Sequence, residues 1–128
     1  MLRFGKKSLR ILDQLDDDLK LLCMEAIERV DFSLICGTRN KEDQEKAFNQ
    51  GNSKARYGQS PHNFTPARAF DFTPYPCDWN NIEDFKRVAH IIMQCAEELD
   101  INITWGGNFK SFKDYPHIEL TNWRNKDE

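Results

Sequence analysis

Two short stretches of the chain hold side chains that could together bind a metal ion and activate a water molecule. The first contains His62 and Asp71, and the second, near the C-terminus, contains Asp114 and His117. Two imidazoles and a carboxylate match the ligand set of a catalytic zinc site with one position open for water. A further carboxylate could act as general base. Spacing alone also leaves open that these are unrelated polar residues, because ligands distant in sequence form a weak pattern.

The segment that carries the first carboxylate reads as a strand. Residues 68–73 alternate, so Asp71 projects from the face opposite the two phenylalanines of the segment. An aspartate in the middle of a strand is disfavoured by propensity, and such a local conflict is typical of a functional site.

The second stretch reads as a turn followed by a final short strand. His117 and Glu119 alternate with apolar residues, and they are therefore expected on one face of that strand. A turn at Tyr115-Pro116 separates Asp114 from His117, so Asp114 is not expected to be a ligand beside His117. Across that turn Asp114 could face the activated water, first as general base and then as acid to the leaving amine.

Apolar periodicity predicts the elements that must hold these side chains. In chain order they are a short helix capped by Ser8, a helix beginning at acidic residues 16–18, a buried strand at 32–36, a polar helix at 41–50 closed by Gly51, a loop at 52–66, an amphipathic helix at about 81–99 and a strand at 101–105. His90 lies off the apolar stripe of the long helix, which favours a structural or exposed histidine. The pattern predicts an α+β fold with helices packed on a small antiparallel sheet.

The composition excludes several classes of protein. The chain has 128 residues, of which 39% are hydrophobic, so residues 1–128 are predicted to form a single domain. A net charge of -3 without a basic stripe argues against nucleic acid as a binding partner. No apolar run reaches the length of a membrane span, and the N-terminus shows no signal peptide, so we expect no membrane insertion. We also expect a monomer.

The four cysteines give no metal-binding or disulfide pattern. Cys23, Cys36, Cys77 and Cys95 are widely separated and contain no Cys-x-x-Cys pair. We expect them to be buried free thiols.

Several motifs resemble those of VanY-like zinc peptidases, which cleave peptidoglycan stem peptides and have the LAS fold shared with hedgehog domains and D-alanyl-D-alanine metallopeptidases. The motifs are Ser60-x-His62, Ala69-x-Asp71, Trp105-Gly-Gly and Asp114-x-x-His117. The chain is most similar to phage and bacterial L-alanyl-D-glutamate endopeptidases, through Gly37-Thr-Arg39 with Gln44, Gln50-Gly51, Ser60-Pro-His62-Asn63 and Asp114-Tyr-Pro-His117-Ile-Glu-Leu. This resemblance extends from about residue 8 to residue 120.

The resemblance implies a role for each matching residue. The implied roles are zinc ligands for His62, Asp71 and His117, acid/base catalysis for Asp114, polarisation of the scissile carbonyl or substrate holding for Arg39, and substrate binding for Ser60 and Gln44. The partner would be the bacterial peptidoglycan stem peptide. Lys54, Arg56, Lys110 and Lys113 are candidates to meet its carboxylates, in a cleft lined by loops 52–66 and 106–113.

Two departures from the family pattern concern Asp71. The family usually has six residues between the first histidine and the aspartate, whereas eight intervene here, and Ala67 occupies a position where the family has glycine. We expect the extra residues, around Thr65-Pro66, to enlarge the loop without moving the ligands.

The resemblance implies a zinc-dependent phage endolysin that cleaves the L-alanyl-D-glutamate bond of the stem peptide and causes host lysis. The enzyme would be held in the host cytoplasm until a holin opens the membrane. One alternative is a D-alanyl-D-alanine carboxypeptidase of the same fold, although Asp114 in place of the glutamate of those enzymes favours the endopeptidase. The other is a non-catalytic, zinc-stabilised binding domain.

Overall fold

A computed structural model describes residues 2–125 of the chain. Its elements are α1 (Lys6–Leu12), α2 (Asp17–Ala26), β1 (Phe32–Cys36), α3 (Lys41–Asn49), β2 (Ala69–Pro74), α4 (Ile82–Glu98), β3 (Ile103–Trp105) and β4 (His117–Leu120), with 3₁₀ turns at Pro61–Asn63 and Gly106–Asn108. Among the described residues, none of the helices combines the length and apolar character that crossing a bilayer requires. The order of helices and strands agrees with the prediction.

The four strands form one antiparallel sheet in the order β1-β2-β4-β3. Helix α4 packs against β2 and β3, and its N-cap is Asn81, whose side chain accepts a hydrogen bond from the Asp84 N–H. Phe70 and Phe72 of β2 are completely buried on the side of the hydrophobic core. The predicted α+β fold with a small antiparallel sheet is therefore confirmed.

The register between the two central strands places two of the candidate ligands side by side. Asp71 of β2 pairs directly with His117 of β4. Residues directly opposite one another in an antiparallel pair have Cβ atoms about 4.5–5.5 Å apart. Since Phe70 and Phe72 fill the core, the alternation of β2 turns Asp71 to the other face of the sheet. That face carries the candidate site.

Strand β1 lies at an edge of the sheet, and α1 covers that edge. The capping role predicted for Ser8 is wrong: Gly5 is the N-cap of α1, and Ser8 lies buried within the helix. Its Oγ atom instead accepts a hydrogen bond of 3.0 Å from the N–H of Leu34 in β1. An exposed sheet edge invites pairing with another chain, so this contact protects a donor that would otherwise be open.

The cysteines divide into two groups. Cys23 and Cys95 are buried, and burial of the Cys23 thiol raises its pKa. Cys36 is half-buried and Cys77 is exposed, so the expectation of buried thiols is wrong for these two.

Candidate active site

Three side chains from separate parts of the chain converge on one point at the open face of the sheet. The Oδ1 atom of Asp71 lies 3.3 Å from Nε2 of His62 and 3.1 Å from Nδ1 of His117. The two imidazole nitrogens are themselves 3.3 Å apart. One oxygen and two nitrogens thus form a nearly equilateral triangle of donor atoms.

The outer nitrogen of each imidazole already has a hydrogen-bond acceptor. Nδ1 of His62 lies 2.8 Å from the carbonyl oxygen of Gly37, and Nε2 of His117 lies 2.8 Å from Oε1 of Glu119. Both partners can only accept, so each outer nitrogen carries the proton. In a neutral ring the inner nitrogen then presents its lone pair to the triangle, as a metal-binding histidine does.

The dimensions of the triangle fit a tetrahedral metal ion. Zinc bonds to histidine and carboxylate ligands of about 2.0–2.1 Å, at tetrahedral angles, separate the ligand atoms by about 3.3–3.4 Å. The residues present therefore fit a zinc ion.

The electrostatics of the triangle also favour positive charge. Burial opposes protonation of both histidines, but the charge and hydrogen bond of Asp71 outweigh it and raise the pKa of His62 to about 10. Hydrogen bonds to Asp71 and Glu119 similarly raise the pKa of His117 to about 9. Although burial would raise it, the two histidines lower the pKa of the Asp71 carboxyl. A metal ion bound here would displace protons from the same atoms.

A capped 3₁₀ turn fixes the position of His62. The Oγ atom of Ser60 accepts from the His62 N–H, and Asn63 completes the capping box by accepting from the N–H of Ser60. The His62 carbonyl also accepts a 2.7 Å bond from the Arg39 N–H. Ser60 therefore holds the turn, and it also lines the cleft, so its predicted role in substrate binding stays a prediction.

The longer spacing between His62 and Asp71 does not separate their side chains. Ala67, at the position where the family has glycine, is completely buried. Its N–H donates a hydrogen bond to the Gln14 carbonyl, and its carbonyl accepts one from the Asp16 N–H. The loop is thus tied to the end of α1 and the start of α2, and β2 begins two residues later. Despite the longer spacing, Asp71 lies 3.3 Å from His62.

Asp114 reaches the cleft from the turn that precedes β4. Its N–H donates to the carbonyl of Gly106, and its own carbonyl accepts from the N–H of His117. Partial burial raises the pKa of the Asp114 carboxyl and the charge of Asp71 raises it further, against opposing effects of the nearby cations. A carboxyl with a raised pKa beside a charged centre is suited to proton transfer.

Arg39 enters the site from the turn between β1 and α3. Its Nη2 atom lies 3.8 Å from Oδ2 of Asp71 and 3.6 Å from Sγ of Cys36, and its Nη1 atom donates to Oε1 of Gln44 at 3.1 Å. Asp71 therefore offers one carboxylate oxygen to the histidines and the other to the guanidinium.

Gln44 lies behind Arg39 and not on the cleft. The side chain is completely buried and is absent from the residues that line the cavity. Protein groups surround its amide, so its predicted role in substrate binding stays a prediction.

The converging side chains lie in a cleft of about 870 Å³. One wall comes from residues 52–56 and 59–62, and the other from residues 109–112, as predicted for the two loops. Of the four candidate cations, Lys54, Arg56 and Lys110 line the cleft, and Lys113 does not. Arg124 also lines it, although no motif had marked this residue. The ring of Phe109 lies 5.8 Å from that of His117 and adds an apolar surface.

Sequence reasoning missed three contributors to the site. Cys36, whose Sγ lies 3.8 Å from the outer nitrogen of His62, forms with His62 and Asp71 a further group of potential ligand atoms within 4.8 Å of one another. Since that nitrogen bonds the Gly37 carbonyl, the tighter His62, Asp71 and His117 set is the better metal site. Glu119 supports His117, and the shared face of β4 was the signal for it. Asn63 stands in the motif Ser60-Pro-His62-Asn63, but the motif did not indicate its contacts with Gln44 and the Arg39 carbonyl.

Comparisons with known proteins agree on one family of peptidases. A model of the family described as phage L-alanyl-D-glutamate peptidase matches residues 1–123. The L-alanyl-D-glutamate peptidase of Escherichia phage T5 is 28% identical over 92% of this chain and 88% of its own length. The peptidoglycan L-alanyl-D-glutamate endopeptidase CwlK of Bacillus subtilis is 30% identical over 86% of this chain and 71% of its own length.

The fold of the chain also matches a solved structure. The Serratia marcescens L-Ala D-Glu endopeptidase ChiX superposes with a TM-score of 0.79 and 26% sequence identity, over 93% of this chain and 90% of that protein. The similarity in sequence and in fold therefore covers the whole site.

Proposed function

The chain belongs to the phage L-alanyl-D-glutamate peptidase family, and from this premise we propose that it is a zinc-dependent endopeptidase that cuts the L-alanyl-D-glutamate bond of peptidoglycan stem peptides. The observation that carries the proposal is the triangle of donor atoms from His62, Asp71 and His117, with all three distances between 3.1 and 3.3 Å. The names of the matched peptidases support the choice of substrate.

The three side chains of the triangle would hold the zinc ion. Bound there, zinc would act as a Lewis acid toward the scissile carbonyl and make a water molecule nucleophilic near neutral pH. The Gly37 carbonyl and Glu119 keep the imidazoles in the required tautomer, and such outer partners commonly affect metal affinity 10- to 100-fold.

Asp114 is proposed as the acid/base group. Its carboxyl accepts a proton from the attacking water as the oxygen adds to the carbonyl carbon of L-alanine. It then gives that proton to the nitrogen of D-glutamate as the C–N bond breaks. One group can serve both steps because its raised pKa lies nearer neutral pH than that of an ordinary aspartate.

Arg39 is proposed to stabilise the oxyanion that forms on the carbonyl oxygen. Its guanidinium lies at the cleft beside Asp71, and the contacts with Gln44 and Cys36 limit its movement. A fixed cation aimed at developing charge acts mainly in the transition state, where it lowers the barrier more than it strengthens binding.

The cations of the cleft suit a substrate with several carboxylates. Lys54 and Arg56 lie on one wall and Lys110 on the other, and the Arg56 guanidinium stacks 4.7 Å from the ring centroid of Phe48. We propose that these groups meet the free carboxylates of the stem peptide, including that of D-glutamate. Charge-assisted hydrogen bonds of this kind orient a substrate as well as bind it.

We further propose that the enzyme serves phage lysis, stored in the host cytoplasm until a holin opens the membrane. The matched peptidase from Escherichia phage T5 supports this setting, whereas the matched endopeptidase from Bacillus subtilis supports a bacterial one. Expression in the host cytoplasm should cause lysis only with a co-expressed holin. Lysis without holin would contradict the storage step.

The identity of the cleaved bond distinguishes the proposed function from its alternatives. Purified peptidoglycan digested with the zinc-loaded protein should yield new N-terminal D-glutamate, with L-alanine left on the muramyl side, in mass spectra of the products. The Asp114→Asn variant is the matched control, because it keeps the three proposed ligands and lacks the base.

The same digestion tests the alternatives. Free D-alanine as the main product would make the protein a D-alanyl-D-alanine carboxypeptidase. Binding to the wall without any new amino terminus, in the wild type as in the control, would make it a non-catalytic domain.

A further inference from the structure

Two amide side chains, the buried Gln44 of α3 and the half-buried Asn63 of the 3₁₀ turn, join the segments that surround the cleft. We propose that Gln44, braced by Asn63, is a positioning residue that holds Arg39 and the cleft wall at residues 53–55 in the geometry used for catalysis. The inference rests on the proposed function, in which Arg39 acts on the scissile carbonyl.

The amide of Gln44 is completely used by protein partners. Its Oε1 atom accepts from Nη1 of Arg39 and from Nδ2 of Asn63, both at 3.1 Å. Its Nε2 atom donates to Oγ of Ser53 at 2.9 Å and to the carbonyl of Ala55 at 2.6 Å. Two donated and two accepted bonds are all that a primary amide can make.

Asn63 is saturated in the same way. Its Nδ2 atom donates to the Arg39 carbonyl as well as to Gln44, each at 3.1 Å. Its Oδ1 atom accepts from the N–H groups of Gly58 and Ser60, at 2.9 and 3.2 Å. The two amides therefore connect the backbone and side chain of Arg39 to the loop that leads into His62.

The placement of Gln44 indicates a purpose beyond filling space. It is the buried residue of α3, a short helix whose other side chains are exposed or half-buried. An apolar side chain of similar length would fill the same volume, but it would leave the Arg39 guanidinium without this acceptor. Arginine has many rotamers, and the bond to Gln44 limits those available before substrate arrives.

The two ends of the amide have separable tasks. The oxygen end holds Arg39, so its loss should lower kcat, because Arg39 is proposed to act in the transition state. The nitrogen end holds Ser53 and Ala55, which line the cleft, so its loss should mainly raise KM. A role confined to stability would give no such division.

The first measurement compares Gln44→Met with Gln50→Met, a matched control at an exposed position at the end of the same helix. For Gln44→Met we expect unchanged zinc content, an unchanged far-UV circular dichroism spectrum and a kcat lower by about 10- to 100-fold, the order of effect of a misplaced catalytic group. Wild-type kcat in a folded Gln44→Met variant, or loss of its zinc, would overturn the inference.

A double-mutant cycle then asks whether Gln44 acts through Arg39. In the Arg39→Ala background, adding Gln44→Met should lower kcat by less than about twofold, because the group that Gln44 positions is gone. A further loss equal to that in the wild-type background would overturn the inference. Cleavage by the wild-type enzyme is measured alongside, so failure of the proposed function itself, with no cleavage at all, is distinguishable.

The Gln44→Glu variant tests the inference independently of how the methionine variant folds. Its carboxylate still offers an oxygen to Arg39 and Asn63, but it cannot donate to Ser53 or Ala55. We expect kcat within about threefold of wild type and a raised KM, in agreement with the division of tasks. A tenfold or greater loss of kcat in this variant would contradict the role of the oxygen end.

Discussion

The two sides of the candidate site are held together in different ways. Asp71 and His117 stand on β2 and β4, where the backbone ladder and the buried phenylalanines beneath fix the positions of the side chains. The opposite side, residues 38–63, has one short helix and one 3₁₀ turn, and the amides of Gln44 and Asn63 join its parts. One side depends on main-chain pairing over a core, and the other on polar side chains.

The difference separates two requirements of the proposed chemistry. A metal ligand must be held to within a few tenths of an ångström, and a central strand over a packed core provides that rigidity. The groups that meet the substrate sit on loops, which are more mobile and carry much of protein function. We therefore expect changes on the strand side to remove the metal ion. On the loop side, apart from the ligand His62, we expect changes to lower turnover while the metal is retained.

The largest effect is expected on the strand side. His117→Ala removes one of three donor atoms, so the variant should lose zinc and all measurable turnover, because the metal contributes several kcal/mol to the barrier. In the wild type, a strong chelator should abolish activity and added zinc should restore it. Metal analysis and the wall-digestion assay measure both effects.

His90→Ala is the matched control, because His90 lies exposed on α4 with its ring 5.7 Å from that of Trp105. It should keep zinc and activity. Full zinc content in His117→Ala, with activity that survives the chelator, would refute the ligand set and the comparison between the two sides.

A smaller effect is expected at the turn that precedes β4. Asp114→Asn keeps the size of the side chain and leaves the backbone bonds to Gly106 and His117 available, so zinc content should not change. Turnover should fall by about 10²- to 10⁴-fold, the usual contribution of general acid/base catalysis. Steady-state kinetics on purified stem peptide measure the loss. A variant as active as wild type would exclude Asp114 from proton transfer.

The strand side was also the part that the sequence predicted best. The period-two alternation of β2 correctly predicted that Asp71 projects from the face of the sheet opposite the two phenylalanines. The alternation of β4 indicated that His117 and Glu119 share a face. The pairing of Asp71 with His117 could not be predicted, because the register of two strands 46 residues apart depends on packing of the whole domain.

At two positions outside the strands the local pattern did not reveal the contacts of the side chain. Gln44 matched a motif associated with substrate, but only the tertiary fold shows that Arg39, Ser53, Ala55 and Asn63 surround its amide. Ser8 looked like a helix cap because serine is common there, whereas its partner, Leu34, is 26 residues away. A side-chain hydrogen bond across such a separation leaves no periodic signal in the sequence.

The smallest effect is expected from a glycine that lies against the proposed base. The carbonyl of Gly106 accepts from the N–H of Asp114, and a Cβ atom at Gly106 would collide with the Asp114 carbonyl oxygen and crowd its side chain. Gly106→Ala should therefore displace Asp114 while leaving the ligand triangle in place. Turnover should fall by about 10- to 100-fold, since a displacement of about 1 Å can cost 10²-fold, while zinc content stays at the wild-type level. Gly5→Ala is the control, because no atom lies within 4 Å of the added carbon. If Gly106→Ala turns over like wild type, the contact does not position Asp114, and if it loses zinc, the turn belongs with the strand side.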